Sequence, residues 1–236
     1  LYRLVGSEMC IRDRAMRVVQ TDEELNNYLN ILASADEDGN PFKSGPLLVD
    51  QFLTETVEID VDLISDGKDV FIAGILEQLE PAGVHSGDST AVIPPYSIDK
   101  EMIKEIEDKS TKLALGLNVQ GLLNIQFAIK DNELFILEAN PRASRTMPFV
   151  AKVTGNQIIK AGTLLMLGYT INEIKDKTNY LNSSTEKIAI KKAIFPWSRF
   201  PAEDTMLGPE MKATGEVLGI GKDFGTALNK AYAAAG

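Results

Sequence analysis

Residues 57–64, VEIDVDLI, alternate apolar and acidic positions without a break. An extended chain of period two puts Val57, Ile59, Val61 and Leu63 on one side and Glu58, Asp60 and Asp62 on the other, the pattern of a half-buried strand. The runs LLVDQFL (47–53) and DVFIAGILEQLE (69–80) read as strands too, and Ser65-Asp66-Gly67-Lys68 between the last two is a hairpin-turn signal. Three strands joined by short turns, with no room for a crossover helix, predict an antiparallel sheet. Residues 118–140, NVQGLLNIQFAIKDNELFILEAN, predict a second hairpin. With a loop of Asp131-Asn132-Glu133 and Asn132 left-handed, Gln126 falls directly opposite Glu138, and Asn140 shares their face.

Helical spacing frames these strands. Thr21 followed by Glu24 is a capping box ahead of Leu25, Leu29 and Leu32, predicting a short amphipathic helix over 21–35. Asp99 caps a second helix with Ile103, Ile106, Leu113 and Leu117 on its apolar side. Residues 156–168 predict an apolar helix ending at a glycine, and 223–235 an Ala-rich one. Residues 36–46 and 82–97 read as loops, 170–190 as polar and variable, and 191–201 as a strand running into a Pro-marked turn. Residues 1–14, LYRLVGSEMCIRDR, read as neither helix nor strand and make a poor signal peptide. The first residue is Leu, and residues 1–13 are expected to be a leader foreign to the protein.

Composition narrows the chemistry. The 236 residues carry a net charge of −10 with no Lys/Arg block, which argues against a nucleic-acid reader and against an anionic membrane surface as partner. No run of 18 apolar residues offers a membrane span. One cysteine, Cys10, excludes an internal disulfide and fits a reducing cytoplasm. One histidine, His85, makes a His-rich metal cage and a Ser/His hydrolase poor readings.

Three clusters carry candidate chemistry. Gln126, Glu138 and Asn140 are hard oxygen donors of the kind Mg²⁺ takes together with substrate phosphates. Arg142 and Arg145 follow, suited to bidentate contact with phosphate or carboxylate. The competing reading is a solvated strand end with a Glu138–Arg142 ion pair. In GVHSGDS (83–89), Gly83 and Gly87 allow close backbone approach to a ligand, though the loop by itself also reads as a plain turn with a locally bonded His85. Glu58, Asp60 and Asp62 read either as an acidic metal face or as the exposed side of a half-buried strand, and the exposed side is the expectation for Asp60 and Asp62. GIGKDFG (219–225) lacks both GxGxxG spacing and a surrounding βαβ unit, so a dinucleotide loop is set aside.

AGVHSGDS, then NIQFAIKDNELFILEANPRASRTMPFVAKVTG, then LGPEMKATGEVLGIG resemble, in that order, the large subunit of carbamoyl-phosphate synthetase, from about Arg14 to the end. GVHSGDS with SRTMPFVAK is similar to the second, carbamate-phosphorylating half. The resemblance implies an α+β ATP-grasp fold: residues 14–168 as the C-terminal lobe, an antiparallel sheet with flanking helices, then 169–236 as a small α/β segment, with the N-terminal lobe largely missing. It implies ATP and carbamate as substrates, two Mg²⁺ or Mn²⁺ ions, and potassium as a further ion. Partners would be a glutaminase small subunit and the rest of the large subunit.

By resemblance, Gln126, Glu138 and Asn140 ligate the metals, with Gln126 and Glu138 also at the nucleotide. Arg142 and Arg145 hold the transferring phosphoryl group and carbamate. Gly83, Val84, His85 and Ser86 line the nucleotide site, Glu58 takes the ribose hydroxyls, and Gln51 and Leu53 lie at the adenine. Gln51 stands where relatives often carry histidine. Lys192 stands where ornithine-regulated relatives carry glutamate, beside matching Glu80 and Asp88, which puts ornithine activation in doubt. The chain alone is expected to lack synthetase activity and to bind ATP weakly. A biotin carboxylase-like carboxylate ligase and a non-catalytic nucleotide-binding module are the alternatives.

Overall fold

A computed structural model describes residues 3–7, 17–34, 47–51, 53–181, 187–199, 202, 204–208 and 211–236. The chain opens with β1 (Arg3–Ser7), β2 (Arg17–Val19), α1 (Asp22–Ser34) and β3 (Leu47–Gln51). It continues with β4 (Val57–Asp66), β5 (Val70–Gln78), β6 (Ala91–Ile93), α2 (Lys100–Gly116), β7 (Gln120–Lys130) and β8 (Glu133–Asn140). Then follow α3 (Met147–Thr154), α4 (Ile158–Met166), α5 (Ile171–Lys177), β9 (Ile188–Ile194), β10 (Gly215–Gly221) and α6 (Phe224–Ala235).

The antiparallel sheet is larger than expected: seven strands in the order β10-β9-β6-β5-β4-β7-β8. β4 lies inside it, paired with β5 on one side and β7 on the other. Two expectations need correction. Leu47–Gln51 does not join β4; it pairs with Arg3–Ser7 in a separate sheet ordered β2-β1-β3. Residues 3–7, expected to be neither helix nor strand, are the central strand there. β9 and β10 continue the seven-stranded sheet, because three-residue β6, hidden in the 82–97 loop, bridges β5 to β9.

One side of the sheet packs on α2. Ile59, Val61, Leu63, Ile75, Leu123, Ile125 and Phe127 are buried there with Met102, Ile106 and Ala114, each large side chain stabilising the fold by ~1.5–3 kcal/mol. The opposite side is apolar at one end, where Ile64 and Leu76 meet Met147, Val150, Ile158, Ala161 and Leu165 of α3 and α4. Gly74 marks that approach, since a Cβ on it would lie 2.8 Å from Val150 Cγ1. The other end of this side is polar and is not covered by α3 or α4.

The caps follow the sequence. Asp99 accepts Met102 N–H at 2.8 Å, and Thr21 Oγ1 accepts Glu24 N–H at 3.1 Å. Glu24 reaches back to Gln20 N–H at 2.6 Å instead of to Thr21, so the box at α1 is displaced by one residue. The first two GIGKDFG glycines, Gly219 and Gly221, are packing residues. A Cβ on Gly219 would meet Ala227 O at 2.1 Å, so glycine is what lets α6 lie on β10.

Candidate active site

The end of the β7–β8 hairpin builds the first part of the site. The hairpin turns on two residues, Asp131 and Asn132, with φ of 50° and 61°, so Lys130 pairs Glu133. That register alone would set Gln126 opposite Leu137. A bulge between Gln126 and Phe127 absorbs Leu137 and brings Gln126 opposite Glu138, with Asn124 opposite Asn140. The expected pairing therefore holds, through a shorter turn plus a bulge in place of a three-residue loop. Asn140 Nδ2 donates to Glu138 Oε1 at 2.7 Å, so those side chains already meet. Arg142 donates to Ala143 O at 3.2 Å and, among the described residues, makes no ion pair with Glu138.

The polar end of β4 lies beneath. Asp60 and Asp62, expected on an exposed side, are 3% and 0% exposed. Alternation reports two unlike sides, and here the polar side is covered by Asn124, Gln78 and the turn 144–146. Asp62 accepts Ser144 Oγ at 2.7 Å, Thr146 Oγ1 at 2.6 Å and Asn124 Nδ2 at 2.9 Å. Asp60 accepts Gln78 Nε2 and, at 3.4 Å, Asn124 Nδ2. Burial, aided by the charge of Asp62, pushes the Asp60 carboxyl up to about 6 against those bonds. Burial raises Asp62 likewise, opposed by its three donors. Glu58 is raised by burial, opposed by its bond from Gly83.

That bond draws in the 83–89 loop: Gly83 N–H donates to Glu58 Oε1 at 3.0 Å. His85 Nδ1 accepts Gly87 N–H at 2.9 Å, the local bond expected of a lone histidine. Ser86 O accepts the Lys191 ammonium at 2.8 Å. Lys191 is only 1% exposed; burial lowers its pKa, opposed by Glu216, Asp60, Glu80 and Asp88. The loop also reaches the arginine turn. A Cβ on Gly87 would stand 3.1 Å from His85 Nδ1, 3.3 Å from Arg145 Nη1 and 2.7 Å from Met211 Sδ, which Arg145 contacts. Glycine there lets loop and guanidinium come together.

Gln126, Glu138 and Asn140 thus share the end of the hairpin, Arg142 and Arg145 lie on the turn that follows it, and the 83–87 loop meets Glu58 through Gly83 and Arg145 beside Gly87. Gln51 and Leu53 are not tied in: Gln51 ends β3 opposite Arg3, and no hydrogen bond among the described residues links either to the cluster. Sequence reasoning missed Asn124, Gln78 and Lys191 as partners. Asn124 was legible as the residue two before Gln126 on its face. Lys191 was not, because a lysine within an apolar strand reads as exposed. Lys192 donates to Thr90 Oγ1 at 3.2 Å and lies 3.8 Å from Glu80 Oε1. Asp88 accepts Lys212 and Ala213 N–H, each at 2.8 Å.

The donor set suits a hard cation held jointly with a ligand. Among the described residues no group of three or more His, Cys, Asp or Glu could hold a metal by itself. One carboxylate and two amides leave coordination positions for phosphate oxygens, the arrangement Mg²⁺ favours. No helix among the described residues is long and apolar enough to cross a membrane.

Comparison with known proteins places this architecture. The model of the family "Carbamoyl-phosphate synthase L chain, ATP binding domain" matches residues 4–174, beginning ahead of Arg14. The carbamoyl phosphate synthase large chain, C-terminal section, of Aquifex aeolicus is 44% identical over 99% of this chain and 45% of its own length. The large chain of Archaeoglobus fulgidus is 46% identical over 99% of this chain and 21% of its own. The chain thus spans less than half the length of these relatives. Among solved structures, biotin carboxylase from Campylobacter jejuni superposes with a TM-score of 0.72 at 16% identity, over 98% of this chain and 56% of that one. The biotin carboxylase domain of Hydrogenobacter thermophilus 2-oxoglutarate carboxylase, in complex with MgADP and bicarbonate, gives 0.63 at 17% identity over 83% and 42%. These likenesses show the ATP-grasp fold. Matched over residues 4–174 by its family model, the chain belongs to the carbamoyl-phosphate synthase large-chain ATP-binding family.

Proposed function

We propose that this chain contributes the nucleotide and phosphoryl site of the carbamate-phosphorylating half of a glutamine-dependent carbamoyl-phosphate synthase. A carbamate oxygen attacks the γ-phosphorus of ATP, the bond to the β–γ bridging oxygen breaks, and carbamoyl phosphate and ADP result. The observation that carries this reading is that Gln126 lies opposite Glu138, Glu138 is bonded by Asn140, and the turn bearing Arg142 and Arg145 is tied through Asp62 to Asn124 of the same strand as Gln126. Among the described residues neither arginine has a carboxylate partner, which leaves both for an anion.

Phosphoryl transfer asks for positioning and charge neutralisation more than covalent chemistry. Two Mg²⁺ or Mn²⁺ ions, held by Gln126, Glu138 and Asn140, would neutralise charge on the β- and γ-phosphates. Arg142 and Arg145 orient the transferring group and the carbamate. The 83–86 backbone lines the nucleotide, fixed from below by Lys191 and Glu58. Glu58 at the ribose hydroxyls, Gln51 and Leu53 at the adenine, and a potassium ion rest on the resemblance alone. Partners are the glutaminase small subunit and the remaining large-subunit segments, in the cytoplasm. The Lys192 ammonium beside Glu80 supports a parent enzyme that ornithine does not activate.

In the full-length enzyme, Glu138→Gln or Arg142→Ala lowers carbamoyl phosphate synthesis at least ~100-fold. Turnover near that of the parent in either variant removes the assignment.

A further inference from the structure

Resting on the function proposed above, we infer that Asp62 is a positioning residue for phosphoryl transfer: from the middle of the sheet it clamps the arginine turn and sets where Arg145 points. Ser144 and Thr146, the residues on either side of Arg145, both bond to the Asp62 carboxylate, one to each oxygen, at 2.7 and 2.6 Å. Asn124 Nδ2 fills a third acceptor position at 2.9 Å and ties the carboxylate to β7, the strand that carries Gln126. Asp62 therefore links the metal-side strand and the arginine turn through one side chain with no exposure to solvent.

The proton inventory requires an acceptor with both oxygens free. Ser144 Oγ lies 2.9 Å from Thr146 Oγ1, but each hydroxyl has a single hydrogen, and both are directed at the carboxylate. Ser144 Oγ keeps a lone pair for Met147 N–H at 2.9 Å, which starts α3. An asparagine at 62 would turn an NH₂ toward one of the two hydroxyls, reversing that bond and replacing two charge-assisted bonds with weaker neutral ones. Arg145 itself is exposed, and its only described polar contact is Met211 Sδ. With both neighbours anchored and, among the described residues, no ion pair of its own, its direction is set by the turn, hence by Asp62. A misplacement of ~1 Å in a positioning group costs on the order of 100-fold in rate.

The reverse reaction of the full-length enzyme, ATP formation from ADP and carbamoyl phosphate, separates this role from simple loss of fold. For Asp62→Asn we expect kcat to fall ~30-fold and KM for carbamoyl phosphate to rise ~10-fold, with KM for ADP within ~2-fold of the parent. Fewer folded molecules would move neither KM. Unchanged KM for carbamoyl phosphate, or an equal rise in both constants, overturns the inference. Thr146→Val, which removes one clamp bond and keeps the shape, shifts the same constant in the same direction by ~3-fold and serves if Asp62→Asn does not fold. Arg145→Ala completes the set. If it is crippled while Asp62→Asn and Thr146→Val behave as the parent, the clamp fails alone; if Arg145→Ala is itself unimpaired, the functional reading fails.

Discussion

β4 is buried on both sides, and by different means. Ile59, Val61 and Leu63 are covered by α2 and exclude water with nonpolar contacts. Asp60 and Asp62 are as deeply buried, but beneath side chains that donate hydrogen bonds: Asn124, Gln78, Ser144 and Thr146. The first side stabilises. The second must offset the desolvation of two adjacent carboxylates, which buries charge at a cost that hydrogen bonds only partly recover. The turn that carries Arg142 and Arg145 is fastened to this second side through Ser144 and Thr146.

Mutations on the two sides should differ in sign as well as size. On the apolar side, Phe127 is fully buried, so Phe127→Ala removes ~3–5 kcal/mol, read as a lowered urea midpoint at constant slope. A loss below ~1 kcal/mol would show that α2 does not hold this side as described. On the polar side the effect is smaller and opposite. With Asp60 raised from 3.8 to about 6, the folded protein binds its proton more tightly than the unfolded chain. Folding is then favoured most below about 4 and loses stability as pH rises through 6, for a cost of ~3 kcal/mol once ionised. Asp60→Asn removes that ionisation, and its amide can donate to Gln78 Oε1, which is buried without a partner. We expect Asp60→Asn to be ~1 kcal/mol more stable than the parent at pH 7 and to lack its fall between pH 4 and 6, measured by urea unfolding across pH. Clear destabilisation at pH 7 would show the Asp60 charge to be structurally required.

The same contrast explains what the sequence could reveal. Patterns that report one side of one element transferred well: the Asp99 cap, the Ala-rich helix and the alternation in β4 all correspond to observed elements. The Gln126–Glu138 pairing was reached from turn chemistry, yet two features produce it: a two-residue turn and a bulge at Leu137 that no local signal marks. What failed were statements about the far side of an element. Alternating acids look exposed until one knows that Ser144 and Thr146, some eighty residues later, fold back over them. β6 escaped notice because three residues between Thr90 and Pro94 carry no period of their own. β3 was joined to the wrong sheet because its partner, Arg3–Ser7, lies in a stretch that reads as neither helix nor strand. The motifs named the family; the Asp62 carboxylate beneath the arginine turn was visible only in the fold.

The central claim is that the hairpin end and the arginine turn act on one phosphoryl group. The most direct test is a double-mutant cycle on kcat for ATP formation from ADP and carbamoyl phosphate, using Glu138→Gln, Arg145→Ala and the pair in the full-length enzyme. The account predicts that each single variant falls at least ~100-fold and that the pair falls far less than their product, since both act on the same transferring group. Losses that multiply in full, or a single variant that turns over like the parent, would contradict it.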